Sequence, residues 1–296
     1  MANVPVNGIY DLVIVGGGPA GLSAAVNAKA RNLSCLLLEC RTLVSNLGSH
    51  PDITNYLGFP KISGVELADI FTQHFARTGY DHVKDKVLKI MPQVDCFMIG
   101  TSREIFTSKT IILAVGISRS KTLPGEQEFL GHGVAYCVTC DGALYADQNV
   151  IVVGYIPEAE EEANTLAGFA RNVTYIPIYD KVGTLKANVK VLRETPVAIL
   201  GDTNANRLKT GEGELKADGI FVIREALPVD TMLDGLEMAG KFIQVDCAMS
   251  ASVPGVFAAG DCTGTPFQIA RAVGQGQIAA LSAAKYAQST SRSSSS

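Results

Sequence analysis

YDLVIVGGGPAGLSAAVNAKARNLSCLLLE (residues 10–39) decides the fold, because it runs strand, glycine turn, helix, strand. Residues 11–15 and 35–39 are short β-branched or leucine-rich runs. Between them lies an alanine-rich helical stretch with Pro19 near its start, where a missing N–H costs nothing. Gly16, Gly18 and Gly21 give G-x-G-x-x-G in the context that pattern requires, with Pro19 and Ala20 between the last two glycines. The first glycine allows the tight turn, the second lets backbone approach a pyrophosphate, and the third lets helix pack on strand. Glu39 closes the second strand, where a carboxylate can accept hydrogen bonds from a ribose. The segment therefore predicts a dinucleotide site.

Three later segments fit the same domain. TIILAVG (110–116) is an apolar strand ending at Gly116, GVFAAGDCTG (255–264) is a strand that delivers Asp261 after Gly260, and PFQIARAVGQGQIAA (266–280) is a helix with small residues on one side. A second strand–turn–helix–strand unit, NVIVVGYIPEAEEEANTLAGFARNVTYIPIYD (149–180), lies between them. The expected architecture is α/β, with two Rossmann-like three-layer domains, the second inserted in the first. Residues 1–117 and 246–296 would form the outer domain and 118–245 the insert. Aligning the two turns sets Gly154 on Gly16, Ile156 on Gly18 and Ala159 on Gly21. A β-branched Ile156 would stand where a pyrophosphate must touch backbone, and Glu158 adds negative charge at the helix start. Pro177, at the place of the ribose acid, offers neither a carboxylate nor an arginine. The second unit thus keeps the fold of a dinucleotide domain without its binding chemistry.

The bulk properties narrow the function. At 296 residues, 47% hydrophobic and 18% charged, the chain can bury two sizeable cores. A formal net charge of −4 argues against nucleic acid as a partner. No apolar run reaches the roughly 18–20 residues that span a bilayer, and MANVPVNGIYDLVIVGGG lacks the pattern of a signal peptide. The expectation is a cytoplasmic protein with no membrane attachment, ending in a disordered STSRSSSS tail. Of seven cysteines, only Cys137 and Cys140 form C-x-x-C. Zinc would need about four ligands, and His132 is the only histidine nearby, so no metal site is expected. Two intervening residues suit reversible dithiol–disulfide exchange instead. Asp141, directly after the second cysteine, can carry a proton for a departing thiolate or simply form a turn before Gly142.

GGGPAG, NYLGFP, YCVTCDG and GVFAAGDCTG, in this order, resemble the low-molecular-weight flavoprotein thioredoxin reductases over nearly all of residues 9–286. That resemblance implies non-covalent FAD in the outer domain, a redox disulfide in the insert, a homodimer, and thioredoxin as electron acceptor. It places Gly16, Gly18, Pro19, Ala20 and Gly21 on the FAD pyrophosphate and Glu39 on the adenosine ribose. Asn55 would lie close to the flavin ring, with Gly116, Gly260 and Asp261 along the cofactor and Gln268 and Ile269 at the pyrimidine edge. By the same resemblance Cys140 faces the flavin, Cys137 attacks thioredoxin, and Asp141 is the acid/base.

The departures point to a branch of that family. NADPH-dependent members carry G-x-G-x-x-A and an arginine-bearing motif where this chain has GYIPEA and PIY, and Arg-Gln where it has Phe267-Gln268. The chain is similar to the ferredoxin-dependent flavin thioredoxin reductases, so NADPH is not expected and reduced ferredoxin is the expected donor. An acidic donor would need a basic patch, for which Lys84, Lys86 and Lys89, or Lys181, Lys186 and Lys190, are the candidates. The rival functions are a conventional NADPH-dependent reductase, a flavoprotein with a second flavin or another donor, and a redox-inactive FAD-binding scaffold.

Overall fold

A computed structural model of the chain describes residues 8–117, 122–224 and 229–293. It opens with β1 (Ile9–Val15), α1 (Pro19–Lys29) and β2 (Cys35–Leu38), in the order expected of residues 10–39. β1 and β2 are parallel, with Val13 opposite Leu36 and Val15 opposite Leu38. Successive side chains on a strand point to opposite faces. Leu12 and Ile14 accordingly enter one core and Val13 and Val15 another. A strand covered on both sides has no wet face, which is why its sequence is apolar without alternation. There follow α2 (Gly64–Ala76), β3 (Asp81–Val83), β4 (Val87–Pro92), β5 (Phe97–Thr101) and β6 (Ile105–Leu113).

The inserted unit contains β7 (Val134–Ala135), α3 (Val138–Asp141), β8 (Asn149–Gly154), α4 (Ala159–Leu166), β9 (Asn172–Pro177) and β10 (Val189–Val191). An antiparallel β11 (Pro196–Gly201), β12 (Ala205–Thr210) and β13 (Glu214–Lys216) come next, before β14 (Gly219–Ile223) returns to the main sheet. That sheet has the order β10-β9-β8-β14-β7 and is parallel throughout. The chain then continues through α5 (Val229–Met232), β15 (Met238–Ala239), β16 (Phe242–Ile243), β17 (Val256–Ala258) and α6 (Ile269–Ser293). The first sheet has the order β3-β2-β1-β6-β5-β4, with β17 parallel to the C-terminal half of β6. α6 packs on α1 closely enough that a Cβ at Gly276 would strike the Ala20 carbonyl oxygen, and the Ser23 hydroxyl donates to Val273 O at 2.6 Å.

The α/β expectation and the two Rossmann-type units hold. The chain divides into one unit of residues 1–117 with 229–296 and another of 118–228. The return crossing therefore lies at 228/229 and not at 245/246. The reason is packing: Leu233 and Ile243 are buried in the core of the first unit beside Val13 and Ile111, and Val229, Leu236 and Met238 pack against them. Residues 289–293 of the serine-rich tail differ from expectation, since α6 continues to Ser293; residues 294–296 lie outside the described residues. Once a helix is nucleated, each further residue adds a hydrogen bond at little cost. Among the described residues no helix is long and apolar enough to cross a membrane.

Candidate functional site

In the first unit the turn between β1 and α1 has the geometry of an anion cradle. Gly16 has φ +111° and abuts the Ala114 carbonyl, and a Cβ on Gly21 would collide with the Gly16 carbonyl oxygen. Both positions are closed to any side chain. Gly18 differs, because nothing lies within 4 Å of where its Cβ would stand. Gly18 is also the N-cap of α1, with no side-chain cap and no acid in the first turn. The first N–H groups of α1 thus lack a side-chain acceptor and can take a phosphate. Pro19 and Ala20 form the start of that turn. Glu39 reaches back across it: one carboxylate oxygen accepts from Gly17 N–H at 2.7 Å and the other from Arg41 N–H at 3.0 Å.

The other expected cofactor residues of this unit fall into two groups. Asn55 Nδ2 donates to Gln268 Oε1 at 2.9 Å, joining segments 213 residues apart, and Ile269 begins α6 beside them. Phe267 is exposed and packs toward Phe242, with ring centres 6.2 Å apart. Gly260 has φ +88° and sits on Ala20 Cβ, so the loop carrying Asp261 lies against the start of α1. Burial pushes the Asp261 carboxyl up, partly offset by Arg271. Gly116 follows β6 with φ +67° and open space at its Cβ position. Two residues that sequence reasoning missed hold this loop. Arg271 donates to Gly264 O at 2.6 Å and to Thr263 Oγ1 at 3.0 Å, and Gln275 Oε1 accepts from Gly260 N–H at 2.9 Å. Their helical spacing after Gln268, in QIARAVGQG, was the available signal.

In the second unit Cys137 and Cys140 are joined in a disulfide, with Cα atoms 5.4 Å apart. Cys137 lies beyond the end of β7 in extended backbone and caps α3, its Sγ accepting from Cys140 N–H at 3.1 Å. Cys140 is exposed and Cys137 buried. Asp141 is half-buried, and burial raises its pKa, which favours a protonated carboxyl beside the disulfide. Upstream, Tyr136 donates to the buried Glu126 at 2.8 Å, and Glu126 forms a fully buried ion pair with Arg224, whose guanidinium lies 4.9 Å from the Tyr155 ring centre.

The second glycine turn is built differently from the first. Ile156 packs on the apolar core of its own unit, and Pro177 closes β9 opposite Gly154. Glu158 is exposed and makes no capping hydrogen bond; the acids in the first turn of α4 are Glu160, Glu161 and Glu162. An uncapped helix start without acids in one unit is matched by a triply acidic one in the other. The first carries no negative charge where an anion can sit at a helix N-terminus, and the second carries three at the same place.

Residues 10–276 match the pyridine nucleotide-disulphide oxidoreductase family. The thioredoxin reductase of Bacillus subtilis (strain 168) is 31% identical, with 94% of this chain and 95% of that protein covered. A crystal structure of a ferredoxin-flavin thioredoxin reductase from Clostridium acetobutylicum superimposes with a TM-score of 0.88 at 40% identity, covering 96% of this chain and 99% of that one. A thioredoxin reductase from Gloeobacter violaceus gives a TM-score of 0.79 at 33% identity, with 96% of each chain covered. With its uncapped glycine turn in one unit and its Cys137–Cys140 disulfide in the other, the chain belongs to the pyridine nucleotide-disulphide oxidoreductases, among the thioredoxin reductases.

Proposed function

We propose that this protein is a cytoplasmic, homodimeric thioredoxin reductase that binds FAD in its first unit, reduces thioredoxin through Cys137 and Cys140, and takes its electrons from reduced ferredoxin and not from NADPH. The observation that carries the reading is the contrast between the two glycine turns: α1 has no acid in its first turn, whereas α4 has Glu160, Glu161 and Glu162 there. The likeness to a ferredoxin-flavin thioredoxin reductase at 40% identity supports the choice of donor.

Bound FAD would supply the conversion between single electrons and the pair that a disulfide needs. Gly16, Gly18, Pro19, Ala20 and Gly21 would hold its pyrophosphate, Glu39 its ribose, Gly116, Gly260 and Asp261 its middle, and Asn55, Gln268 and Ile269 its ring. In the reduced dithiol, Cys137 as thiolate attacks one sulfur of the thioredoxin disulfide and releases the other as a thiolate. Cys140 then attacks Cys137, restoring the Cys137–Cys140 bond and freeing the second thioredoxin thiolate. Asp141 holds the proton that moves between the thiols and the leaving sulfur. The driving force is adequate: a plant-type ferredoxin lies near −400 mV and thioredoxin near −270 mV, about 6 kcal/mol downhill for two electrons. Lys84, Lys181, Lys186 and Lys190 are exposed and free to meet an acidic donor, whereas Lys89 is engaged by Asp234 at 2.7 Å.

The test is thioredoxin reduction under anaerobic conditions with photochemically reduced ferredoxin. New thioredoxin thiols with the wild type, and none with Cys137→Ser or Cys140→Ser, are the expected result. Equal reduction by the serine variants would overturn the dithiol route.

A further inference from the structure

In the second unit the space between the first turn of α4 and the end of β9 is filled by the protein's own side chains. The Tyr175 hydroxyl lies against Gly154, close enough that a Cβ there would overlap it, and the ring is fully buried. Tyr175 and Tyr179 share a hydrogen bond between their hydroxyls at 2.6 Å, and Tyr179 donates to Glu160 Oε1 at 2.8 Å. The Glu160 carboxylate in turn accepts from Gly183 N–H, at 3.0 Å to one oxygen and 2.9 Å to the other. The segment carrying Gly183 is fastened along α4 by further bonds. Asn164 donates to Thr184 O at 3.2 Å and accepts from Lys186 N–H at 2.8 Å, and Asn188 donates to Ala167 O at 2.7 Å.

A dinucleotide lies across the C-terminal ends of the strands, with its adenosine ribose at the end of the second strand and its pyrophosphate at the helix start. In the first unit that ribose position belongs to Glu39, whose carboxylate reaches back to Gly17 N–H. The matching corner of the second unit holds Tyr179 and Glu160 locked to each other. A ribose entering there must break the Tyr179–Glu160 bond, and a phosphate must approach a carboxylate.

We infer that Glu160, Tyr175 and Tyr179 form an internal stopper in the ribose–phosphate corner of the second unit, and that this stopper, beyond Ile156 in the turn, bars pyridine nucleotides. The inference rests on the reading that NADPH is not the donor and names the residues responsible for it. Burial pushes the Tyr175 hydroxyl up to about 12 and raises that of Tyr179 further, so both stay protonated and the chain of bonds persists through the physiological range.

The experiment titrates NAD+ calorimetrically into the FAD-loaded protein in three forms: wild type, Ile156→Gly, and Ile156→Gly with Glu160→Ala and Tyr179→Ala. Retained FAD and an unchanged far-ultraviolet dichroism spectrum certify folding. Binding at least tenfold tighter in the triple variant than in Ile156→Gly is expected, with none in the wild type. Equal binding by Ile156→Gly and the triple variant would sink the stopper while leaving the ferredoxin reading intact. Binding by the wild type would overturn both. Hydrogen exchange adds a test that needs no loss of stability. The Gly183 amide should exchange slowly in the wild type and at least tenfold faster in Glu160→Gln, and fast exchange in the wild type would contradict a closed stopper.

Discussion

Asn55 and Gln268 meet through a hydrogen bond of 2.9 Å, although 213 residues separate them and both are exposed. One comes from the loop before α2 and the other from the residue preceding α6, so the bond closes the first unit at the corner proposed for the flavin ring. An exposed amide pair contributes little to folding. Its use is in binding: Asn55→Ala or Gln268→Ala should leave the unfolding midpoint of the cofactor-free protein within about 0.5 kcal/mol of wild type and weaken FAD roughly tenfold. Recovery of flavin fluorescence on dilution reads the affinity directly.

The glycine turn separates stability from binding more sharply. Gly21→Ala drives a methyl into the Gly16 carbonyl and should cost about 1–3 kcal/mol in denaturant unfolding. Gly18→Ala meets open space and has φ −76°, so it should fold like wild type. Gly18→Ala should nevertheless lose FAD, because the methyl occupies the face offered to the pyrophosphate.

Asp141 carries a predictable pH signature. Burial raises its pKa in the folded state, so folding favours the protonated carboxyl. That contribution is fully present below the unfolded value of about 3.9 and is lost as pH rises through the folded value. Asp141→Asn should therefore be more stable than wild type at pH 7, with the difference shrinking toward pH 4. Urea titrations at the two pH values check the sign. Thioredoxin reduction should slow in the same variant.

The buried pair of Glu126 and Arg224 gives a test of packing near the redox helix. Both side chains are fully excluded from solvent, and Glu126 also accepts from Tyr136 and from Leu123 N–H at 2.8 Å. Glu126→Ala strands a buried guanidinium and should cost about 3–5 kcal/mol. The double replacement Glu126→Leu with Arg224→Met should recover most of that loss, as seen in guanidinium unfolding.

Much of this was legible in the sequence, for physical reasons that differ by element. The turn at residues 16–21 could be read because its backbone geometry admits so few residue types, and the Cys137–Cys140 pair because sulfur chemistry needs that spacing. The parallel strands β1 and β8 showed as apolar runs because both their faces are buried. What escaped was set by tertiary contact. The spacing of Arg271 after Gln268 puts it near the cofactor loop, but only the fold shows that it ties down the Asp261 loop. Glu160 stands in an acidic run with Glu161 and Glu162 at the start of α4, and only the folding back of residues 179–183 turns it into the partner of Tyr179 and Gly183. The return crossing at 228/229 was misplaced because Leu233 and Ile243 join a core built mainly from residues far away in the chain.

The most direct test of the central claim is anaerobic. Excess NADPH, then NADH, then reduced ferredoxin is added to the oxidised, FAD-loaded protein while the flavin absorbance is followed. The account predicts no bleaching with either nucleotide and full bleaching with ferredoxin. Prompt bleaching by NADPH would contradict it and make this a conventional nucleotide-dependent reductase.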